Sequence, residues 1–365
     1  MKIICQKSEL VRGIQTVQNV ISSKTTLPVL SHILMKAENN KLQLCATDLE
    51  VGIRSLVEAE VVQEGAVTMP GRTIGDIVKE APEEKIEIQA DEKSKVTITC
   101  GKSLFRIMGL PKEEFPKLPE SGKGNGFDIS KKTMKELIKK TSFAISREEA
   151  RYALNGILFE VGKEKITAVS TDGRRLAKVK KSIAGTKIEK QVILPSKAVN
   201  EVNRIIEDVE GEVRMAIGEN EVTFEMDGIM LMARLVKGDF PDYDKVVPKT
   251  YSDRITLNRE KFLSGIRRVS LLTSEKSNTI KISLSRDRMV LSASTPELGE
   301  ASEEMDISYE GEEEILAFNP VYLMDFLRNE ACKEIYFEII NPVSPAVLRP
   351  VEEEDYFYVV MPVKT

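Results

Sequence analysis

Thr47, Thr171 and Thr295 stand at an even spacing of about 124 residues, and each sits in the same local setting. Ala46-Thr47-Asp48 follows the apolar run Leu42 to Cys45. Ser170-Thr171-Asp172 follows Ile166 to Val169, and Ser294-Thr295-Pro296 follows Met289 to Leu291. A second ladder has almost the same step. Pro70, Pro195 and Pro320 each open a helix-like run, and the pair Phe115-Pro116 recurs as Phe240-Pro241, again about 125 residues on. Such a period is far longer than a solenoid repeat and has the size of a domain. With 365 residues and 41% hydrophobic content, the chain can fill two or three cores. We read three domains of one fold, at residues 1–122, 127–249 and 251–365.

Within each domain the hydrophobic period switches between helix and strand. Leu10, Ile14, Val17 and Ile21 predict a helix over Ser8 to Ile21, with Ser8 as its N-cap. Strand patterns follow at Ile33 to Ala37, Leu42 to Thr47 and Val51 to Val62, with Asn39-Asn40 as the first turn. A second helix runs from Thr73 to Glu80, stopped by Pro82, before three more strand patterns. Pro111, Pro116, Pro119, Gly122, Gly124 and Gly126 read as a linker. The order returns with helices at Thr133 to Ile145 and Lys197 to Val209, then at Arg259 to Leu272 and Val321 to Asn329. The class is α+β, each domain a doubled half-unit of helix followed by strands.

No catalytic constellation emerges. The one histidine, His32, lies in an apolar run with no nucleophile marked beside it, and reads as structural. Asp48 and Asp172 offer themselves as paired acids or metal ligands of a nucleic-acid enzyme. The third copy has Pro296 at that position, so turn chemistry is the better reading. Gly122 to Gly126 lacks the strand, the helix and the Lys-Ser/Thr of a phosphate loop. Cys5, Cys45, Cys100 and Cys332 have no metal-ligand spacing and read as small buried hydrophobes in a reducing cytoplasm. Neither a signal peptide nor a membrane span is expected.

A net charge of −5 argues weakly against nucleic acid, but the charge is segregated. Lys131, Lys132, Lys135, Lys139 and Lys140 crowd one helix beside the single acid Glu136, while acids collect at Glu310 to Glu314 and Glu352 to Asp355. An acidic chain arranged so can present a local positive surface.

Five segments carry a resemblance: Thr26-Leu27-Pro28-Val29-Leu30, Arg151-Tyr152-Ala153-Leu154-Asn155-Gly156, Thr171-Asp172-Gly173-Arg174-Arg175-Leu176-Ala177, Phe240-Pro241-Asp242-Tyr243 and Tyr358-Val359-Val360-Met361-Pro362. In this order, within a threefold repeat, they resemble the bacterial DNA polymerase III β-subunit family, the sliding clamps, over the whole chain. The resemblance implies a DNA clamp fold of three repeated domains. Each would have two helices on the inner face and antiparallel sheets on the outer face, closing head to tail as a homodimeric ring. It implies a chain that encircles double-stranded DNA without reading sequence and tethers the replicative DNA polymerase catalytic subunit, with no cofactor and no chemistry of its own. A clamp loader, other polymerases and repair proteins carrying clamp-binding peptides would be further partners, and no membrane is involved. A scaffold of three repeats that does not touch DNA is the alternative, distinguished by retention on circular DNA.

By motif position, the resemblance assigns DNA contacts to Lys24, Arg72, Arg151, Tyr152 and Lys197. It assigns a partner-peptide cleft to Leu154, Thr171, Gly173, Arg174, Arg175, Leu176, Pro241, Val246, Val343, Val359, Val360, Met361 and Pro362, with Lys245 and Tyr322 at the rim. Arg174 stands where the family often has His, and Lys245 where it often has Arg; both keep positive charge, but Lys245 loses planar stacking. The dimer contact would set Lys102, Phe105, Arg106 and Ile107 against Leu271, Leu272, Glu300, Glu303 and Glu304, an apolar centre with a charged rim.

Overall fold

The computed structural model describes residues 1–22, 25–118, 126–274, 278–296 and 298–363. One order of elements recurs: strand, helix and three strands, twice per repeat. The first repeat runs β1 (Lys2–Gln6), α1 (Lys7–Gln18), β2 (His32–Glu38), β3 (Lys41–Thr47), β4 (Val51–Glu58) with a short continuation β5 (Glu60–Gln63), then β6 (Gly65–Pro70), α2 (Gly71–Lys79), β7 (Lys85–Ala90), β8 (Lys95–Cys100) and β9 (Ser103–Met108). The second has β10 (Gly126–Ser130), α3 (Lys131–Thr141), β11 (Gly156–Val161), β12 (Lys165–Thr171), β13 (Arg175–Ser182), β14 (Lys190–Pro195), α4 (Ser196–Ile205), β15 (Glu212–Ile217), β16 (Glu221–Met226) and β17 (Ile229–Arg234). The third has β18 (Asp253–Asn258), α5 (Arg259–Val269), β19 (Ile280–Ser285), β20 (Arg288–Thr295), β21 (Gly299–Asp306), β22 (Glu314–Phe318), α6 (Pro320–Asn329), β23 (Glu334–Ile339), β24 (Ala346–Pro350) and β25 (Tyr356–Val360).

The helices fall where the apolar spacing sets them, within a few residues. α1 buries Leu10, Ile14 and Val17, and α5 buries Phe262, Ile266 and Val269. Ser8 is not the cap: the helix starts one position earlier, and Gln6 occupies the N-cap without a side-chain bond. The extended run Val51 to Val62 is broken at Ala59 into two strands that pair in different sheets. Gly126 opens a strand, so it belongs to the second repeat and not to the linker; residues 119–125, which hold Pro119, Gly122 and Gly124 of that linker, lie outside the described ones. Asn39 and Asn40 both have φ near +50°, the left-handed pair of a two-residue hairpin. α1 rests on β3 and β4 through Gly13, where a Cβ would collide with Val57 Cγ2.

The six strands that lead into helices, β1, β6, β10, β14, β18 and β22, are absent from the sequence reading. Each is five or six residues, and β6 and β14 end on Pro70 and Pro195. So few alternating positions give no usable period; partners fix them instead. β1, for example, pairs along its full length with β7, from Lys2↔Gln89 to Gln6↔Lys85.

The strands assemble in two compact units, Met1–Lys131 with Asn200–Leu235, and Lys132–Val199 with Val236–Thr365. The first contains a sheet ordered β5-β1-β7-β8-β9 and an eight-stranded sheet β10-β15-β16-β17-β4-β3-β2-β6. The second contains the eight-stranded β14-β11-β12-β13-β25-β24-β23-β18 and the four-stranded β21-β20-β19-β22. The second repeat is therefore shared: β17 pairs with β4 of the first repeat, and β13 with β25 of the third. Each pairing merges two four-stranded sheets and removes two exposed edges.

Candidate functional site

The Thr-Asp turns that define the period share one construction. Thr171 Oγ1 accepts from Gly173 N at 3.0 Å and donates to Arg175 O at 2.6 Å, while Asp172 Oδ1 accepts from the N–H groups of Arg174 and Arg175 at 2.9 and 3.1 Å. In the first repeat Thr47 Oγ1 takes Leu49 N and gives to Val51 O, and Asp48 Oδ1 takes Glu50 N and Val51 N. Both aspartates thus serve the turn, as the sequence suggests. Among the described residues no group of three or more His, Cys, Asp or Glu side chains gathers as a metal site requires. His32 Nδ1 lies 3.2 Å from Thr68 Oγ1, and burial holds the imidazole below its usual range against the opposing pull of Glu114.

In the second repeat this turn becomes one wall of a cavity. Antiparallel pairing sets Leu176 opposite Val359 and Arg175 opposite Val360, and Met361 N donates to Arg174 O at 2.9 Å, so the C-terminal strand lies along the turn. The cavity holds about 190 Å³ and is lined by Leu154, Thr171, Gly173, Arg175, Leu176, Pro241, Asp242, Tyr243, Val246, Val359 and Met361. Its floor is a packed cluster of Leu158, Val169, Leu176, Ile193, Tyr243, Val347 and Val359. Val246 and Met361 are respectively 49% and 40% exposed, which leaves apolar surface available to a ligand. Gly173 has φ +85°, and a Cβ there would meet Arg151 Nη1 at 2.6 Å, so this turn requires glycine.

Arg175 pins the assembly. It donates to Asp172 Oδ2 at 3.0 Å, to Asp325 Oδ2 at 2.6 Å and to Phe143 O at 2.7 Å, and its guanidinium lies 4.5 Å from the Tyr322 ring centroid. Its charge is therefore engaged within the chain. Tyr243 donates to Glu160 Oε2 at 2.9 Å; burial first, then that carboxylate, pushes the phenol well above its usual range.

Nine of the fifteen expected cleft residues line the cavity: Leu154, Thr171, Gly173, Arg175, Leu176, Pro241, Val246, Val359 and Met361. The others fall around it or behind it. Val360 is fully buried, because strand alternation turns it to the opposite face from Val359. Arg174 is exposed next to Tyr322, which itself sits under Arg175. Lys245 is exposed and paired with Asp242 at 3.1 Å, Val343 is 77% exposed, and Pro362 is half-buried. Asp242 and Tyr243 line the cavity without having been assigned to it; the Phe240-Pro241-Asp242-Tyr243 segment was their signal.

The expected DNA contacts are less uniform. Arg72 and Lys197 hold the same second position in α2 and α4, Arg72 exposed and Lys197 half-buried. Arg151 turns toward the cleft, donating to Asp172 O at 3.3 Å and pairing with Glu148 at 3.4 Å. Tyr152 is 55% exposed, and Lys24 lies outside the described residues. The basic helix is also less basic than its letters. Lys131 is buried against Asp227 at 2.5 Å, and Lys140 is buried among Glu353, Glu330 and Glu136, while Lys132 and Lys139 are exposed. Burying an ammonium is tolerable only with such carboxylates at hand.

Six of the nine expected dimer residues lie on sheet-edge strands, while Leu271 and Leu272 lie in a short 3-10 turn after α5. β9 carries Phe105, Arg106 and Ile107 at one edge of its sheet, with Lys102 in the turn before it, and β21 carries Glu300, Glu303 and Glu304 at one edge of the four-stranded sheet. Leu271 is 74% exposed and Leu272 half-buried. Glu303 is bonded to Arg268, which holds its carboxyl below the usual range, and Glu304 pairs with Arg288 at 2.5 Å. Part of the acidic rim is thus already neutralised within the chain.

Known proteins match this chain from end to end. Residues 1–119, 128–242 and 244–364 match the N-terminal, central and C-terminal domains of the DNA polymerase III beta subunit. The chain is 34% identical over 366 residues to the beta sliding clamp of Chlamydia muridarum, spanning 100% of this chain and 99% of that one. It is 30% identical to the beta sliding clamp of Vibrio cholerae, covering 100% of both. The solved DNA polymerase sliding clamp of Bacillus subtilis superposes with TM-score 0.97 at 29% identity, over 100% of this chain and 99% of that one. Among the solved relatives is also a sliding clamp (DNA polymerase III subunit beta) from Bartonella birtlesii bound to griselimycin, with TM-score 0.96, 32% identity and full coverage of both chains. A threefold βαβββ-doubled chain that agrees at this level over its entire length belongs to the DNA polymerase III beta subunit family, the beta sliding clamps.

Proposed function

We infer that this chain is the processivity subunit of a DNA polymerase, a sliding clamp with no chemistry of its own. The carrying observation is the full-length agreement with beta sliding clamps, joined to an apolar cleft at the β13–β25 pairing. In this reading the chain holds double-stranded DNA by encirclement and the replicative polymerase by a short peptide in that cleft. The three repeats, residues 1–122, 127–249 and 251–365, are three clamp domains, and two chains joined head to tail supply six around the duplex. The open edges of β9 and β21 favour this closure, because a head-to-tail contact needs two different surfaces that complement each other. Phosphate contacts from exposed cations such as Arg72 and Lys139 would position the ring without reading bases.

The cleft suits exchange among partners. Two or three apolar anchors at about 1.5–3 kcal/mol each, less the ordering of a flexible peptide, leave a net of roughly 6–8 kcal/mol and an affinity on the order of micromolar. Clamp loader, other polymerases and repair proteins would compete there, with two clefts per ring raising effective concentration. The decisive experiment is retention: the loaded protein should remain on nicked circular DNA through a sizing column and run off the same DNA once linearised. Equal loss from both forms would overturn the ring; retention on both would indicate ordinary DNA binding. No described helix is long and apolar enough to cross a membrane.

A further inference from the structure

The face of β2, β3 and β4 carries an open cavity of about 210 Å³, bounded by Leu34, Lys36, Arg54, Ala66, Phe115 and Leu118, with Lys112 and Lys117 also on its wall. The same place in the second repeat can be identified residue by residue, because the strand registers coincide. Leu34 opposes Cys45 and Lys36 opposes Gln43, as Leu158 opposes Val169 and Glu160 opposes Thr167. Arg54 opposes Cys45 as Lys178 opposes Val169, and Ala66 opposes Lys36 as Gln191 opposes Glu160. Leu118 follows Phe115-Pro116 as Tyr243 follows Phe240-Pro241.

In the second repeat that place is filled from within. The Tyr243 hydroxyl donates to Glu160 Oε2 at 2.9 Å, Gln191 Nε2 donates to Glu160 Oε1 at 3.0 Å, and Lys178 Nζ stands 4.6 Å from the Tyr243 ring centroid. An aromatic ring and a carboxylate sit together beneath a cation. The first repeat keeps the cation as Arg54 and loses the rest: Leu118 replaces the ring, Lys36 the carboxylate, and Ala66 the amide. Volume and negative charge are vacated at one spot.

The remaining charge is unbalanced. Lys36 pairs at 2.7 Å with Glu38, both side chains 40% exposed or more. Arg54 donates at 3.1 Å to Met230 Sδ, a weak and uncharged acceptor. Arg54, Lys112 and Lys117 form no ion pair with any described carboxylate. Leu34, Phe115 and Leu118 supply an apolar wall beside these cations.

We propose that this cavity binds a short acidic segment of a partner protein, whose aromatic side chain takes the place held by Tyr243 in the second repeat and whose carboxylate takes that of Glu160. The volume accommodates one aromatic anchor and an acid and falls below that of sites for drug-sized ligands. A phosphodiester strand would use the cations and leave the apolar wall uncovered, so a peptide is the better match. Arg54 receives the carboxylate with its planar fork of donors.

The test uses the full-length protein and a fluorescein-labelled Gly-Ser-Asp-Phe-Asp-Ser-Gly peptide in polarisation titrations. Controls replace both Asp by Lys, or Phe by Ser. Two variants probe the cavity: Arg54→Gln, and the triple Lys36→Glu, Ala66→Gln, Leu118→Tyr, which rebuilds the internal filling of the second repeat. The acidic aromatic peptide should bind at least about tenfold tighter than either control, and each variant should weaken it at least about tenfold. Met361→Ala should leave it unchanged, which separates this cavity from the cleft at β25. Equal binding of the Lys peptide, undiminished binding to Arg54→Gln, or loss on Met361→Ala would overturn the assignment. Displacement by oligothymidylate at equal charge would also overturn it, in favour of a nucleic-acid groove. Should the triple variant fail to fold, judged by its circular-dichroism transition, Arg54→Gln alone decides.

Discussion

Glu330 follows α6 and is buried without a full set of partners. Its Oε2 is 3.7 Å from Lys140 Nζ, and its Oε1 accepts no hydrogen bond. Lys140 is already held by Glu353 and lies 3.5 Å from Glu136 and 4.5 Å from the Tyr356 ring centroid. Burial pushes the Glu330 carboxyl from 4.5 to about 7; Lys140 opposes this and Glu353 adds to it. The folded state therefore keeps a proton that the unfolded chain releases, throughout that interval. Stability contributed here is present below pH 4.5 and is lost as pH rises to about 7. The gap converts to about 3 kcal/mol by the usual relation between pKa and free energy. Glu330→Gln mimics the protonated acid and cannot ionise. In urea titrations followed by circular dichroism, its stability relative to the parent should be about 3 kcal/mol more favourable at pH 8 than at pH 4.5. A relative stability independent of pH would show that Glu330 stays ionised in its pair with Lys140, and the reasoning from burial would fail.

Met361→Ala should weaken a Gln-x-x-Leu-x-Phe peptide by about 1–2 kcal/mol in fluorescence polarisation while leaving retention on circular DNA intact. Leu272→Asp places a charge within the proposed interface and should give folded monomers by sedimentation, since an unpaired carboxylate is strongly disfavoured against an apolar surface. Reversing charge at Arg72 and Lys197 together should lower the salt slope of DNA association by roughly 0.9 for each phosphate no longer neutralised; an unchanged slope removes both from the DNA surface. Gly173→Ala forces a Cβ into the left-handed region against Arg151, and should cost about 1–2 kcal/mol of stability in urea melts and loosen the cleft in the same peptide assay.

Much of this molecule is legible in one dimension, for local reasons. Helix positions follow from apolar spacing, the Asn39-Asn40 turn follows from a residue type that tolerates the left-handed region, and the Thr-Asp turns follow from side chains that bond their own backbone within four residues. The repeat shows itself because such local solutions recur at a fixed step. Other features depend on partners far along the chain. Nothing in β13 names β25 as its neighbour across more than 170 residues: alternation tells which face of a strand is buried, not which strand lies beside it. Lys131 and Lys140 read as solvated charge like Lys132 and Lys139, until Asp227 and Glu353 are brought to them. Val359 and Val360 are the same letter twice, and only the register with Leu176 and Arg175 sends one to the cleft and the other to the core. The cavity at Arg54 is also a tertiary fact, visible when two repeats of equal register are compared and one is found to lack the ring and the acid that fill the other. Sequence by itself determined the helices, the strands other than those leading into helices, and the recurrence of both, because hydrophobic period and turn bonding act over a few residues. Which strands meet, which charges are consumed and where space is left were decided by the tertiary structure, because burial and pairing are settled between segments that only folding brings together.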